Sequence, residues 1–341
     1  MLIKVEELEK QLKQGNISHL YLLYGEELFL LENCLKKIQK EFGTLQKGIN
    51  DIRIGEDNVE QLISDIQTPA FGFEKKLIIA RDTGLFRKEA KKKGQINNKL
   101  IERISNYIQD NEKTLKESVV LVFVEQQAEK NELYKQIEKQ GTICNFELLK
   151  PMQITVRLKA ICSAYGVKVD ESTLQYLIEC SGTNMQDLIN EIRKLIEYAG
   201  NGGTIQRQDI DKLCIKKIDS VIFELTDSLG KKNIKQALQV LQNLLYAKEP
   251  IQKILITLYN HFKKLYFVKL AQKTNKPLVE ALNLKPNQTF LTTKYKQQSS
   301  YFQENTLRKI LQELIDLDTN SKNGLIDTQI GLEAILCRYC S

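Results

Sequence analysis

The segment 20–42 has the pattern of a strand, a sharp turn at Gly25 and a helix, which is where many proteins bind a nucleotide phosphate. A phosphate-binding loop needs glycines, whose backbone N–H groups surround the phosphate, together with a Lys and a Ser or Thr. This turn has Glu26 and Glu27 instead, and two carboxylates repel a triphosphate. We interpret Gly25, Glu26 and Glu27 as a degenerate nucleotide site that does not hydrolyse ATP, and we expect both carboxylates to be exposed.

The other side chains that commonly perform chemistry form no catalytic or metal-binding set. The only histidines, His19 and His261, stand in no nucleophile motif. Cys337 and Cys340 have C-x-x-C spacing, but no second pair accompanies them, and they end a predicted helix where a redox motif would begin one. The seven cysteines are odd in number and mostly scattered, which indicates reduced thiols. We predict no catalytic residue, no metal and no cofactor.

The loop 68–74 joins an amphipathic helix to a predicted strand and carries two phenylalanines. Pro69 and Gly72 stiffen and turn it, while Phe71 and Phe73 flank the glycine. Two such side chains are hard to bury in so short a connection. Either both fold onto the domain core, or at least one protrudes as an apolar knob for a partner's pocket; the residues alone leave both interpretations open.

Excess positive charge is concentrated in the segment 261–300. It holds eight lysines and one glutamate, an excess equal to the +7 of the whole chain. Aromatic residues are interleaved with these lysines, so the segment is suited to a nucleic-acid backbone and its bases, with Lys263, Lys264, Lys294 and Lys296 near the DNA. The alternative is a solvated lysine face over an aromatic helix core.

The elements that position these residues change in kind along the chain. Up to about residue 146, apolar runs alternate with amphipathic stretches, which predicts a parallel α/β sheet. The strand candidates are 20–24, 51–54, 77–81, 119–124 and 142–146. From Pro151 onward, apolar spacing of three and four residues predicts helices only. A glycine-rich turn at 200–203 and the pair Lys216 and Lys217 divide the helical part in two, so the predicted domains are 1–148, 149–216 and 217–341.

Two further expectations concern location and surface. The chain has neither a secretory leader pattern nor a run of about 18 apolar residues, so we expect a soluble, cytoplasmic protein without membrane contact. The lysine-rich stretch 87–94 is most simply a surface loop.

Nearly the whole chain resembles the delta subunits of bacterial DNA polymerase III, which belong to clamp loaders. Five motifs carry the resemblance, in order along the chain. They are YLLYGEE at 21–27, TPAFGFEKKLIIA at 68–80, GTNMQDLINEIRKLIEY at 182–198, the triplet Phe223, Glu224 and Leu225, and the spacing of Asp318, Lys322 and Gly324.

This resemblance implies an AAA+-like fold in three parts: a RecA-type α/β domain at 1–148, a small helical lid at 149–216 and a helical collar at 217–341. It also implies partners: the beta sliding clamp, the gamma/tau and delta prime subunits of the clamp loader, and primer–template DNA. In this family the chain opens the clamp during DNA replication without hydrolysing ATP itself.

The resemblance favours the knob interpretation of the loop. It implies that Pro69, Ala70, Phe71, Gly72 and Phe73 contact the clamp, with Ala70 and Phe71 at the positions of the family's apolar pair. Two departures stand out: Ala70 is smaller than the usual leucine or phenylalanine, and Lys285 replaces a histidine that often precedes the proline. Two other readings remain open, a nucleotide-dependent AAA+ ATPase and a DNA-binding helical protein that uses the lysine-rich segment.

Overall fold

The computed structural model describes residues 1–87 and 98–340, which form two compact units divided between Leu148 and Leu149. The surface loop predicted at 87–94 lies, beyond Arg87, outside the described residues. No helix within the two described ranges is both long enough and apolar enough to cross a membrane.

The first unit is built on a six-stranded, all-parallel sheet in the order β1-β6-β2-β5-β4-β3. Its strands are β1 (Leu2–Ile3), β2 (Leu20–Tyr24), β3 (Asp51–Ile54), β4 (Lys76–Arg81), β5 (Val119–Glu125) and β6 (Thr142–Asn145). The five predicted strands are confirmed. The two-residue β1 was not predicted, because two residues are too few to show a periodic pattern.

The sheet is accompanied by helices, and its central strand is enclosed. The helices are α1 (Val5–Lys13), α2 (Leu28–Phe42), α3 (Leu62–Gln67), α4 (Asn98–Asp110), α5 (Glu112–Ser118) and α6 (Glu132–Gln140). Every residue of β5 is buried, as expected for a parallel strand covered on both faces.

The parallel sheet separates the two sequence motifs of this unit. Segments that follow the strands lie at the carboxyl edge, and segments that precede them lie at the opposite, amino edge. Gly25 follows β2 and therefore lies at the carboxyl edge, whereas the loop 68–75 precedes β4 and lies at the amino edge. Any site at the turn is thus remote from any site at the loop.

The second unit is almost wholly helical. Its helices are α7 (Pro151–Ala164), α8 (Glu171–Ser181), α9 (Met185–Ala199), α10 (Arg207–Leu213), α11 (Ile218–Gly230), α12 (Ile234–Tyr246), α13 (Ile251–Thr274), α14 (Leu278–Ala281), α15 (Leu291–Ser300), α16 (Glu304–Lys322) and α17 (Thr328–Cys340). The expectation of helices alone was wrong in one detail. Two short parallel strands, β7 (Lys168–Val169) and β8 (Thr204–Ile205), pair with each other, and this pairing joins segments too distant in sequence for local periodicity to show.

A large apolar core of the second unit is drawn from residues 222–340. Within it His261 is buried, and its Nε2 lies 2.7 Å from the Gln298 Oε1. Gln298 in turn donates to the Asp227 carboxylate at 2.7 Å. Contacts also join α8 to the start of α11, where the Lys217 N–H donates to the Cys180 carbonyl at 2.9 Å. The predicted division of this unit at 216–217 stays a prediction.

These observations confirm the predicted fold class in its architecture: a parallel-sheet α/β domain followed by helical regions.

Candidate functional site

The turn after β2 is closed against the chain's own backbone. Gly25 has φ +134°, and a Cβ atom at this position would lie 2.3 Å from the carbonyl oxygen of Phe146. No other residue fits, because any side chain would meet backbone that cannot move aside. The glycine therefore permits the segment after β6 to pass directly over the turn.

The backbone donors of this turn are already used within the chain. The Gly25 N–H donates to the Glu125 carbonyl at 3.2 Å, and the Glu27 N–H donates to the Phe146 carbonyl at 2.9 Å. A bound phosphate would need such N–H groups for itself. Two carbonyl oxygens of the chain itself therefore accept the bonds that a phosphate at this turn would need.

The expectation that both carboxylates of the turn are exposed was wrong for one of them. Glu26 is exposed, but Glu27 is buried. The Glu27 N–H donates to the Phe146 carbonyl, and this bond holds Glu27 beneath the segment that follows β6. Phe146 is 119 positions away in sequence, so local sequence patterns could not predict the contact.

Two contacts that sequence reasoning missed complete the carboxyl edge. A carboxylate oxygen of Glu125, at the end of β5, accepts hydrogen bonds from the Thr83 N–H at 2.8 Å and its hydroxyl at 2.6 Å, and burial raises the pKa of Glu125. Arg81 at the end of β4 forms an ion pair with Glu32 of α2 at 2.7 Å. In the sequence, the only indication of these contacts was that a charged residue, Arg81 or Glu125, ends each of the apolar strands β4 and β5.

At the amino edge, the loop 68–75 presents Phe71 to solvent. The Phe73 N–H donates to the Ala70 carbonyl at 2.9 Å, which closes a four-residue turn. Gly72 is its third residue and has φ +82°, the left-handed conformation that this position requires in a type II turn. Phe71 is consequently at the tip, and 77% of its surface is exposed.

The other predicted contact residues surround this tip. Pro69 and Gly72 are exposed, whereas Ala70 and Phe73 are half-buried. Phe73 lines a cavity of about 560 Å³ at the amino edge, together with Phe42. Phe71 thus points outward and only Phe73 turns inward, so the interpretation that at least one phenylalanine protrudes holds and the one in which both fold onto the core does not.

The ends of the loop are fixed by Lys76, a residue that sequence reasoning did not single out. Its buried ammonium donates to the Asp65 carbonyl at 2.5 Å and to the Thr68 carbonyl, both in the last turn of α3 and just beyond it. Burial lowers the pKa of Lys76. These bonds use carbonyls that a helix end leaves without partners, and they hold α3 to the start of β4.

The four lysines predicted to lie near DNA are on two neighbouring helices, α13 and α15. Lys294 forms an ion pair with Glu179 of α8 at 2.8 Å. The ammonium groups of Lys263 and Lys264 lie 5.7 Å and 5.4 Å from the ring centres of Phe267 and Tyr295. Lys296 is exposed.

Aromatic residues of the same segment are mostly internal. Phe262 and Tyr295 are buried in the core, and the Tyr266 hydroxyl accepts hydrogen bonds from Arg308 at 3.1 Å. Of those on α13, only Phe267 is exposed. This arrangement favours the interpretation of a lysine face over an aromatic core, because stacking on bases requires accessible rings.

The parallel sheet with its closed strand–turn–helix, followed by helical regions, defines an α/β protein with a helical C-terminal part. Comparison with known proteins gives the family. Two models of DNA polymerase III delta subunits match, one over residues 21–147 and one, for the C-terminal domain, over residues 219–339. This chain belongs to the family of DNA polymerase III delta subunits.

Individual relatives agree over nearly the full length. The DNA polymerase III subunit delta of Bacillus subtilis is 25% identical over 333 residues, which cover 96% of this chain and 94% of the relative. The probable DNA polymerase III subunit delta of Aquifex aeolicus is 26% identical over 324 residues, covering 91% and 88%. The structure of the Bacillus subtilis DNA clamp loader delta protein shares the fold, with a TM-score of 0.77, 22% identity and coverage of 98% and 99%.

Proposed function

We propose that this chain is the clamp-opening subunit of a DNA polymerase III clamp loader. It binds the beta sliding clamp through Pro69, Ala70, Phe71, Gly72 and Phe73 and favours the open ring, so that the clamp is placed on primed DNA. Its partners are the gamma/tau and delta prime subunits, and ATP is hydrolysed by partner subunits rather than by this chain. Membership in the delta family and the name of the Bacillus subtilis clamp loader protein support this assignment.

The exposure of Phe71 is the observation that carries the proposal. An aromatic side chain that is 77% exposed gains about 1.5–3 kcal/mol when a partner buries it. The closed turn of Ala70 to Phe73 and the Lys76 bonds hold the loop before binding. Little conformational entropy is then lost on association, so more of that burial energy remains as affinity.

Opening follows if the loop fits the two clamp states unequally. A ligand shifts an equilibrium only by its difference in affinity for the two states. A rigid Phe71 that fits a pocket better in the open or strained ring than in the closed ring therefore stabilises the open ring. No chemical step by this chain is required.

The geometry of the turn after β2 supports a role without ATP hydrolysis. The N–H groups of Gly25 and Glu27 already donate to chain carbonyls, and Glu26 adds an exposed negative charge. A triphosphate at this turn would have to displace the Phe146 backbone and approach a carboxylate. A nucleotide-driven cycle is thus better assigned to the neighbouring subunits.

Clamp binding tests the proposal directly. We expect Phe71→Ala to weaken binding to the cognate sliding clamp at least about thirtyfold, which corresponds to about 2 kcal/mol, because the tip residue supplies the anchor. Isothermal titration calorimetry measures this affinity. Phe267→Ala is the matched control, since it removes another exposed phenylalanine, on α13.

Phe73→Ala tests whether Phe73 contacts the clamp directly, as proposed for Phe71, or mainly supports the loop. Phe73 is half-buried, so we expect a smaller loss of affinity than for Phe71→Ala, accompanied by a lower melting temperature. The proposal fails if the wild-type chain does not bind the clamp, or if Phe71→Ala binds as tightly as the Phe267→Ala control.

A further inference from the structure

The cavity of about 560 Å³ at the amino edge has the size of a site for a small molecule. Its lining comes from the segments before β2, β3 and β4, from α5 and the start of β5, and from the end of α2 and the residues just after it. The strands β2, β5, β4 and β3 are consecutive in the sheet, so these segments lie side by side along its edge. Pockets of roughly 300–1,000 Å³ are typical of small-molecule sites. Because every lining residue belongs to the first unit, this chain forms the cavity by itself.

Three side chains that carry nitrogen line the cavity at neighbouring strands. His19 precedes β2, Lys116 lies on α5 before β5, and Lys75 precedes β4. Burial lowers the pKa of His19, and the charges of Lys116 and Lys75 act in the same direction. An ammonium group shifts the pKa of an imidazole only from a short distance, so the three groups lie near one another. We call this set the basic wall of the cavity.

His19 has a buried polar atom that the rest of the chain does not satisfy. Among the residues that the structure describes, no group forms a hydrogen bond with its Nε2. Buried polar atoms nearly always have a partner, so each exception requires an explanation. A neutral imidazole with its proton on Nε2 donates at this atom, and an anion beside the two ammonium groups would accept that bond.

The two lysines of the basic wall are held in place and can still donate to an anion. The Lys75 ammonium donates to the Lys116 carbonyl at 3.3 Å, and the Lys116 ammonium donates to the Glu112 carboxylate. An ammonium group has three N–H donors, so these bonds do not use up either group.

Carboxylates limit the charge that the cavity accepts. Glu41 and Glu74 line it as well, so carboxylates and ammonium groups are equal in number there. A polyphosphate or a nucleic-acid backbone would be repelled by the two carboxylates, whereas one anionic group at the basic wall is attracted.

The rest of the lining suits an aromatic ring. Phe42 and Phe73 are half-buried, so their rings keep accessible surface, and Ile17 and Val120 add aliphatic side chains. Aromatic rings favour offset or edge-to-face contact with other rings, in addition to the gain from burial. A flat aromatic group thus matches this part of the cavity.

We propose that this cavity binds a small aromatic molecule that carries a single anionic group. Phe42 and Phe73 pack against its aromatic part, and the basic wall binds its anion. Phe73 also closes the turn that presents Phe71, because its N–H donates to the Ala70 carbonyl. A molecule packed against Phe73 therefore holds the turn in place and strengthens clamp binding. This second step rests on the proposed function, whereas the binding itself does not.

Two fluorescent probes that differ in charge test the site. The first, 8-anilinonaphthalene-1-sulfonate, has aromatic rings and one anionic group; the second, N-phenyl-1-naphthylamine, has the same rings without the sulfonate. We expect the full-length chain to bind the sulfonate saturably and at least about tenfold more tightly than the amine, because the basic wall binds the anion. Fluorescence titration measures both affinities.

Substitutions in the basic wall locate the probe. His19→Phe keeps an aromatic ring of similar size but removes both ring nitrogens, and Lys116→Gln removes one charge. Each should weaken binding of the sulfonate at least about fivefold and leave binding of the amine nearly unchanged. Lys113→Gln is the matched control for Lys116→Gln, because Lys113 is exposed on the same helix but does not line the cavity. The melting temperature of each variant shows whether it is folded.

The probe titrations decide whether the site exists. A preference for the sulfonate that is lost in Lys116→Gln and kept in Lys113→Gln supports it. Equal affinities of the wild-type chain for the two probes overturn it, as does equal binding of the sulfonate by the two lysine variants. Both results stand even if His19→Phe fails to fold.

Clamp binding tests the second step separately. We expect a saturating concentration of the sulfonate to raise the affinity of the wild-type chain for the clamp at least about threefold, and to have no such effect on Lys116→Gln. An unchanged affinity of the wild-type chain overturns the coupling to the loop, while the titrations alone decide the site. Failure of the wild-type chain to bind the clamp with or without the probe contradicts the proposed function instead.

Discussion

At the residue scale, Gly25 shows how a single absent side chain determines the state of a whole site. The Phe146 backbone occupies the space where its Cβ would be, and the Glu27 N–H binds the same carbonyl group. The turn after β2 is therefore closed by the chain itself, and Gly25 permits the close packing against Phe146.

Gly25→Ala is expected to destabilise the first unit by about 2–5 kcal/mol, from strain at positive φ together with the clash against backbone. Urea unfolding measures this change. Gly43→Ala is the matched control, because Gly43 also has positive φ, +96°, but nothing lies within 4 Å of its missing Cβ. If Gly25→Ala and Gly43→Ala lowered the free energy of unfolding by the same amount, the close packing of Gly25 against the Phe146 backbone would be contradicted.

At the element scale, α13 and α15 are joined through a buried histidine. His261 lies against the rings of Phe223 and Tyr295, with ring centres 4.5 and 5.2 Å apart, and meets Gln298. Burial lowers the pKa of His261 to about 4, and the nearby Lys264 acts in the same direction. The imidazole is consequently neutral in the folded protein at neutral pH.

The pKa of His261 predicts a loss of stability in mild acid. Its folded pKa of about 4 lies below the usual 6.5, so the unfolded chain binds more protons between these values. The stabilising contribution is complete above pH 6.5 and is lost as the pH falls toward 4, by on the order of 3 kcal/mol.

The free energy of unfolding, measured between pH 7 and pH 4.5, tests this. We expect His261→Gln to show a shallower pH dependence than the wild type, whatever its stability at pH 7. His19→Gln is the comparison: burial lowers the pKa of this histidine too, but it is only partly buried, so we expect a smaller change of slope than for His261→Gln. An unchanged slope in His261→Gln would assign the acid sensitivity to other groups.

At the scale of the whole molecule, the charge excess of 261–300 lies on a surface that is partly neutralised. Lys294 is held by Glu179 and the neighbouring rings are largely internal, so the isolated chain offers few phosphate contacts. DNA contact by Lys263, Lys264, Lys294 and Lys296 stays a prediction, which we place within the assembled complex.

Two lysines of α15 allow a paired test of DNA contact. We expect the isolated chain to bind duplex DNA no more tightly than micromolar at physiological salt. In the assembly, we expect Lys296→Gln to lower the slope of log affinity for primer–template against log salt concentration by about 1, the value for one lost phosphate contact. Lys294→Gln should change this slope less, because Lys294 is already paired with Glu179. Fluorescence anisotropy across a salt series measures both. Nanomolar binding by the isolated chain would favour the DNA-binding alternative.

Features that depend only on neighbouring residues could be predicted from the amino-acid sequence. Apolar runs and helical spacing are local, so five strands, the change to helices after Pro151 and the Gly25 turn followed from the residues alone. The loop with Phe71 also followed, because a proline and a glycine shape it locally.

Contacts between groups that are distant in sequence became known from the three-dimensional fold. Parallel strand order brings Phe146 over Gly25, and the junction of α3 with β4 brings Lys76 to two helix carbonyls. Strand order likewise brings His19 and Lys116 to one cavity. Each of these contacts joins residues that are separated in sequence. Local periodicity reports only on neighbouring residues, so it could not predict which separated residues meet in the folded chain.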